Sequence, residues 1–329
     1  MYIYRNLPVS LIWRFGWINF LIFVAWGNVV YWLRMQFEEL TLSFSLVSTI
    51  GVGVSIYLSF KNGQSYDRQW EARKIWGEML GKSKILANQV KAYVSRQEED
   101  VYAATRKEMA YRQLAFLNAC RLQLRKPSFH SRKYIGTLNP YYYGSPTENE
   151  WESEVGKFIN GEEMQKVLSS PNRALQVLSL QYEALSDLKT RAYIDEFRQM
   201  DMNKTIDACI ESLGKCERIK NTPFPRQYAF FSKTFVWIFI LIMPFGLLGQ
   251  LSGVVGLENY IFFTVLNMLI SWVFITMELV GDYSEDPFEN FASDVPMTAL
   301  CRNIEIELRA FLGEVDLPAK IPAKDGYLL

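Results

Sequence analysis

Histidine and cysteine are scarce in this chain, which has one and four of them in 329 residues. His130 lies in a polar stretch beside Pro127 and Ser128, which favours a surface position over a catalytic base or a metal ligand. No two cysteines have C-x-x-C spacing. We therefore expect four reduced thiols in cytosolic segments. These are Cys120, Cys209, Cys216 and Cys301.

The motifs of common enzyme classes are missing as well. The sequence contains no G-x-x-x-x-G-K-[ST] phosphate loop, no H-E-x-x-H helix and no G-x-S-x-G elbow. The adjacent acids Glu285 and Asp286 are more typical of a solvated turn than of a catalytic pair. The 35 Lys and Arg equal the 35 Asp and Glu, and no basic patch for phosphate binding is evident. We expect neither an enzyme nor a nucleic-acid-binding protein, and no required cofactor.

Four apolar runs of membrane-spanning length are what the sequence does contain. They cover residues 17–33, 44–60, 230–249 and 260–281. The high aromatic content of 15% suits the membrane interface. Pro244 and Gly246 predict a kink in the third run. The N-terminus lacks the pattern of a cleaved signal peptide, so the first run is predicted to be an uncleaved anchor.

Charge placement predicts the topology. Most Lys and Arg fall between residues 61 and 226, and the turns within each pair of spans contain almost none. The basic residues near the span ends agree with the positive-inside rule. They are Arg14, Lys61, Arg68, Arg226 and Lys233. We expect a multi-pass protein of a bacterial inner membrane, with the middle region and both termini in the cytosol.

The middle region has the pattern of packed helices. Residues 70–92, 100–124 and about 174–215 are predicted to be helical, and 126–150 to be irregular. No strand alternation appears, so the fold class is all-α. The predicted divisions are an N-terminal segment with spans one and two (1–60), a cytosolic helical region (61–227), spans three and four (228–281) and a cytosolic C-terminal segment (282–329).

The second span carries an unusual pattern. Val52, Ile56 and Phe60 recur every four residues and share one helix face. Small residues, including Gly51 and Gly53, lie beside them. One interpretation is close helix packing in the membrane, which small residues permit. The other is an apolar pore constriction, which stops ion flow by dewetting.

Three motifs lie around the spans. Residues 65–73, SYDRQWEAR, follow the second span, and residues 216–225, CERIKNTPFP, precede the third. Residues 285–288, EDPF, follow the fourth and lead to DVP at 294–296 and LCRNIE at 300–305. Together they resemble the bestrophin family, specifically its bacterial branch, over nearly the whole chain. The motif residues expected to be structural are Tyr66, Asp67, Arg68, Glu71, Arg73, Glu217, Arg218, Pro223 and Pro225.

The resemblance implies a homopentamer with one central pore in the lipid bilayer, through which inorganic ions pass passively. Its narrow neck would match Val52, Ile56 and Phe60. A second, cytosolic aperture would match Phe197, with Ile194 or Met200 as alternatives. Animal members prefer anions, and bacterial members also include candidates for cation passage, so the sequence leaves the sign of the permeant ion open.

The segment after the fourth span binds calcium in animal bestrophins. Here only Asp286 and Asp294 occupy ligand-like positions, and Phe291 stands where an acid is expected. Calcium prefers six to eight oxygen ligands, so these departures count against a high-affinity calcium site. The alternatives for Asp286 are a helix cap and a contact with a neighbouring subunit.

Some charged residues have structural alternatives to a role with ions. Asp67, Arg68, Glu71 and Arg73 are candidates for a buried salt-bridge cluster, and Glu217 with Arg218 for a structural pair. Glu278, inside the fourth span, should face protein or water because a carboxylate in lipid is costly.

Two functions from other classes remain open at this point. A membrane-anchored helical scaffold or sensor would bind a partner without conducting ions. An exchanger would show inverted repeats and intramembrane charge pairs, which are not evident in the sequence.

Overall fold

The computed structural model describes residues 1–4, 9–37, 39–96, 98–128, 144–251, 256–291, 293–324 and 326–328. Ten α-helices make up most of this part of the chain, and its β-structure consists of isolated bridges only. The all-α prediction is confirmed. The helices are α1 (Val9–Gln36), α2 (Phe44–Tyr93), α3 (Glu99–Arg125), α4 (Glu148–Glu154), α5 (Gly161–Ser169), α6 (Arg173–Thr190), α7 (Glu196–Asn221), α8 (Arg226–Gln250), α9 (Leu257–Ser284) and α10 (Met297–Phe311).

Among the residues that the structure describes, four helices are long and apolar enough to cross a membrane: α1, α2, α8 and α9. Each contains one of the four predicted spans, which confirms their number and order. Pro244 lies inside α8, which continues to Gln250. Proline has no backbone N–H to donate, yet α8 is helical on both sides of Pro244.

The second span and the following charged segment form one helix. α2 has 50 residues, a length of about 75 Å at 1.5 Å per residue. No proline interrupts residues 44–93, so nothing in the backbone forces a break where the apolar sequence becomes charged. α2 therefore stays helical where its sequence changes from apolar to charged.

The chain divides into two compact units. The spanning unit comprises Tyr4–Arg68 and Phe224–Glu285. The helical unit comprises Met1–Ile3, Gln69–Pro223 and Asp286–Leu329. The predicted divisions at 60/61, 227/228 and 281/282 fall within eight residues of these limits, and α2 contributes residues to both units.

The helical unit has one apolar core. α3 packs against α4, α6, α7 and α10, and α5 packs against α6. Trp76, Phe116 and Trp151 are among its fully buried side chains. The buried Gln181 ties two of these helices together, because it donates from Nε2 to the carbonyl of Met109 at 2.9 Å. The unit therefore buries enough apolar surface to form its own core.

The predicted helical run 174–215 is wrong in one respect, because it is two helices. α6 ends at Thr190 and α7 begins at Glu196. Ala192 between them has a φ of 61°, the left-handed conformation that ends many helices. The Asp195 carboxylate then accepts from the backbone N–H of Arg198 at 2.9 Å and caps α7. That acidic cap is the sequence signal that marks the break.

The spanning unit has a separate apolar core. α1 packs against α8 and α9, and α8 packs against α9. Phe23, Leu58 and Phe263 are almost completely buried in it. Asn267 within α9 donates from Nδ2 to the carbonyl of Phe23 at 2.9 Å, a polar contact that ties α1 to α9.

Candidate pore-lining residues

One face of α2 within the spanning unit carries large apolar side chains that the unit itself does not cover. Val52 is 61% exposed, Ile56 55% and Phe60 71%. Val54 and Leu58, on the other side of the same turns, are buried in the core. The structure therefore places the three predicted neck residues together on the uncovered face.

This face differs from the other uncovered faces of the spans. Exposed residues on α1 and α8 are mostly large and apolar, such as Leu21, Phe230 and Leu241, as expected for contact with lipid. The uncovered face of α2 also includes Gly53 and Ser59. Small and hydroxylated residues among the apolar ones fit a helix that faces other helices or water better than one that faces lipid.

A buried lysine immediately follows the last of these residues. Lys61 donates from Nζ to Glu278 Oε1 at 3.0 Å and to Asp282 Oδ1 at 3.1 Å. Lys61 and Glu278 are 2% and 1% exposed. The expectation that Glu278 faces protein is confirmed. Lys61 was predicted only as a basic residue near a span end and not as a partner of these acids, although a lysine at one span end and two acids at another are a pairing signal.

The motif after the second span does not form a buried cluster. Asp67 and Glu71 are exposed, and Arg68 and Arg73 are half-buried. Glu71 accepts from Arg218 Nη2 at 2.6 Å, with both side chains about half exposed. The predicted buried salt-bridge cluster is therefore wrong for the single chain, because both of its acids are exposed. Tyr66 of the same motif is also exposed.

The motif before the third span ends α7 and begins α8. Glu217 accepts from Gln123 Nε2 at 2.6 Å and from Asn172 Nδ2 at 2.8 Å, so its partners are amides and not Arg218. α7 ends at Asn221, and Pro225 directly precedes α8. Proline stops a preceding helix and is accepted at the start of the next, which explains Pro223 and Pro225 around this junction.

The acidic segment after α9 is engaged by protein groups. Glu289 is 5% exposed and pairs with Lys220 Nζ at 2.5 Å, while also accepting from Ser128 Oγ at 3.1 Å. Asp294 accepts from the backbone N–H of Phe291 at 3.0 Å. Asp286 is half-buried. In the described part of the chain, no three His, Cys, Asp or Glu side chains are grouped to hold a metal ion.

Asp294 is an unusual carboxyl group. It is 2% exposed, and no described group lies within hydrogen-bond distance of its Oδ1. Burial, reinforced by the charge of Glu289, raises the pKa of Asp294 to about 8 although the N–H of Phe291 acts in the opposite direction. Asp286 and Asp294 stay predictions for ion binding or subunit contact.

The two residues predicted for the cytosolic aperture have opposite environments. Phe197, in the first turn of α7, is 84% exposed, whereas Ile194 is 4% exposed in the core of the helical unit. Met200, the second alternative, is 52% exposed. Ile194 is therefore wrong as a lining residue, because its side chain already fills the core. Phe197 stays the prediction.

The four cysteines are free and buried, in keeping with the predicted reduced thiols. Burial raises the pKa of Cys209 and Cys301 to about 11, so both are protonated at neutral pH. The cysteines therefore act as small apolar groups in the core.

The single histidine, His130, lies with the rest of residues 129–143 outside the described part of the chain.

Known proteins resemble this chain over most of its length. The model of the bacterial and fungal bestrophin proteins matches residues 5–310. The voltage-dependent anion channel-forming protein YneE of Escherichia coli K12 is 28% identical over 95% of this chain and 90% of its own length. A protein of the same description from Ralstonia nicotianae is 25% identical over 93% of this chain and 89% of its own.

The fold also matches solved structures. A crystal structure of a bacterial bestrophin homologue from Klebsiella pneumoniae superposes with a TM-score of 0.73 at 23% identity. The match covers 93% of this chain and all of that one. At this identity the likeness establishes the fold of the chain.

Proposed function

Because the chain belongs to the bacterial and fungal bestrophin family, we propose that it forms an ion channel in which five copies surround a central pore. Ions pass passively through an apolar neck of Val52, Ile56 and Phe60 and then through a cytosolic aperture at Phe197. Such conduction needs neither a catalytic residue nor a cofactor. The names of the curated relatives specify anions, so chloride is the first ion to test.

The uncovered face of α2 carries this proposal. A single copy leaves three apolar side chains exposed, together with Gly53 and Ser59, on a helix of membrane-spanning length. Five such faces around an axis cover one another and leave a narrow apolar channel. The small residues let the helices approach closely.

The chemistry of the neck determines how it gates. A bare ion inside an apolar ring loses its hydration at a large cost in free energy. The neck therefore conducts only while it is wide enough to hold water, and small movements of α2 switch it between wet and dry. The gate thus depends on the positions of a few turns of one helix.

The setting of the channel follows from the charge pattern of the sequence. We place it in a bacterial inner membrane with the helical unit and both termini in the cytosol, on the positive-inside distribution of Lys and Arg. Exposed Phe197 on α7 then belongs to the cytosolic part of the pore.

Ion flux into liposomes that contain the purified protein tests the channel. We expect passive chloride or monovalent cation flux, with single-channel currents in bilayers and a mass of five subunits by light scattering. Reversal potentials in asymmetric salt then give the sign of the permeant ion. A protein without flux at any ion gradient would be a scaffold, and saturable coupled transport would indicate an exchanger.

A further inference from the structure

The cytosolic end of the proposed neck is attached to α9 by a buried ionic contact. The Lys61 ammonium lies between Glu278 Oε1 at 3.0 Å and Asp282 Oδ1 at 3.1 Å. The Lys61 and Glu278 side chains are 0% and 1% exposed, and that of Asp282 is 19% exposed. All three belong to the spanning unit.

An uncharged contact reinforces the ionic one. Asn62 donates from Nδ2 to the carbonyl of Met277 at 3.0 Å. Gly281 lets the helices approach here, because a Cβ on it would lie 2.0 Å from Asn62 Oδ1. Lys61 and Asn62 thus engage one turn of α9 through charge, hydrogen bonding and close packing. We call the set Lys61, Asn62, Glu278, Gly281 and Asp282 the Lys61 latch.

The latch differs in kind from the contacts that α2 makes nearer the start of the span. There α2 packs through apolar groups, as where the ring of Phe239 fits against Gly51. Apolar packing is non-directional and tolerates small rotations of a helix. An ammonium between two carboxylates requires particular positions, and leaving any of these buried charges without a partner is strongly unfavourable.

Position along α2 connects the latch to the neck. Lys61 directly follows Phe60, and the two side chains leave the same turn about 100° apart, the angle per residue at 3.6 residues per turn. Phe60 points away from the unit and Lys61 points into it. A contact that holds Lys61 therefore determines where the backbone of Phe60 lies.

We propose that Lys61 is a positioning residue of the channel, and that its latch to α9 holds the Phe60 turn of the neck in the narrow arrangement. The inference rests on the proposed channel function. When the latch is weakened, the Phe60 turn moves outward more often and the neck is wet for a larger fraction of the time.

Two variants weaken the latch by different means. Glu278→Gln keeps the side-chain shape and removes one charge, and Gly281→Ala displaces Asn62 without changing any charge. We expect each to raise the single-channel open probability by about 2- to 30-fold, the range for changes that bias a two-state element. The charge-swap variant Lys61→Glu/Glu278→Lys, combined with Asp282→Asn so that no second acid faces the new carboxylate, is expected to restore near wild-type gating if the contact itself acts.

Matched controls separate positioning from general damage. Glu307→Gln removes one acid from an exposed pair with Lys84, and Gly214→Ala adds a Cβ within α7 that meets no atom within 4 Å beyond the adjacent backbone of its own helix. Both should gate as wild type. All variants are compared as assembled oligomers of equal mass, and the swap and Gly281→Ala decide the matter if Glu278→Gln does not assemble.

The outcomes distinguish this inference from the proposed function. If wild type conducts and the assembled latch variants gate as wild type, the latch is structural only and the inference is wrong. The same holds if the controls change gating as much as the latch variants do. If the wild type conducts no ion, the channel proposal itself fails.

Discussion

Lys220 and Glu289 form a buried ion pair, with Nζ 2.5 Å from Oε1 and both side chains under 10% exposed. The pair joins the end of α7 to the acidic segment after α9 within the helical unit. The pair also bears on whether Glu289 could bind calcium. A carboxylate already neutralised by an ammonium is a poor additional ligand for calcium, which prefers sites rich in free oxygen ligands.

Removal of the lysine should destabilise the helical unit. Lys220→Met removes the ammonium that pairs with the buried Glu289 carboxylate, at a cost of about 3–5 kcal/mol. A lowered thermal unfolding midpoint in detergent measures this loss. The double variant Lys220→Met/Glu289→Gln should recover most of the lost stability, since neither position then carries a buried charge. Equal losses in the single and double variants would contradict the pairing argument.

The neck residues should limit conduction. Replacing Val52, Ile56 and Phe60 together by Ala widens the apolar ring and lowers the cost of keeping it wet, so we expect a larger single-channel conductance. Leu21→Ala, an exposed change on α1, is the control for loss of apolar surface in the membrane. Unchanged conductance and gating in the triple variant would reject these residues as the neck.

The aperture assignment predicts a contrast between two neighbouring residues. Phe197→Ala removes an exposed ring and should change conductance with little effect on stability. Ile194→Ala removes a buried side chain and should cost about 2–5 kcal/mol of stability. Bilayer currents and unfolding midpoints of both variants test the contrast. Similar currents for Phe197→Ala and wild type would show that α7 does not line the narrow cytosolic point.

Asp67 should influence which ions pass. It lies seven residues after Phe60 on α2, which places it about 10 Å further along the helix axis and on the same exposed side. In the proposed pentamer, five Asp67 carboxylates below the neck would attract cations and repel anions. Asp67→Asn should therefore move the reversal potential toward that of chloride. Asp100→Asn, an exposed acid on α3, is the control and should leave it unchanged.

Asp294 should make stability depend on pH. Its pKa is about 8 in the folded protein against an ordinary value of 3.8, so the folded state holds the proton more tightly than the unfolded state. Stability should consequently fall as the pH rises from about 4 to about 8. Asp294→Asn should remove this part of the slope. Parallel unfolding midpoints for wild type and variant from pH 5 to pH 8 would argue against a raised pKa.

The sequence determined the features that depend on local composition. Four apolar runs were enough to predict the spans, because a helix of that length crosses the bilayer with its backbone hydrogen bonds satisfied within the helix. The four-residue spacing of Val52, Ile56 and Phe60 placed them on one face, since helical periodicity is a property of the backbone alone. The motif residues around the spans were enough to indicate the family.

Other features were decided by the tertiary structure, because they join residues distant in sequence. Charges at the span ends allow a pairing, but only the packing of the helices determines that Lys61 meets Glu278, 217 positions away, and that Lys220 pairs with Glu289. The packing of the helical unit also buries Ile194, which excludes it as a lining residue, and leaves Phe197 exposed. Sequence periodicity predicts which residues share a helix face, and only packing decides what covers that face.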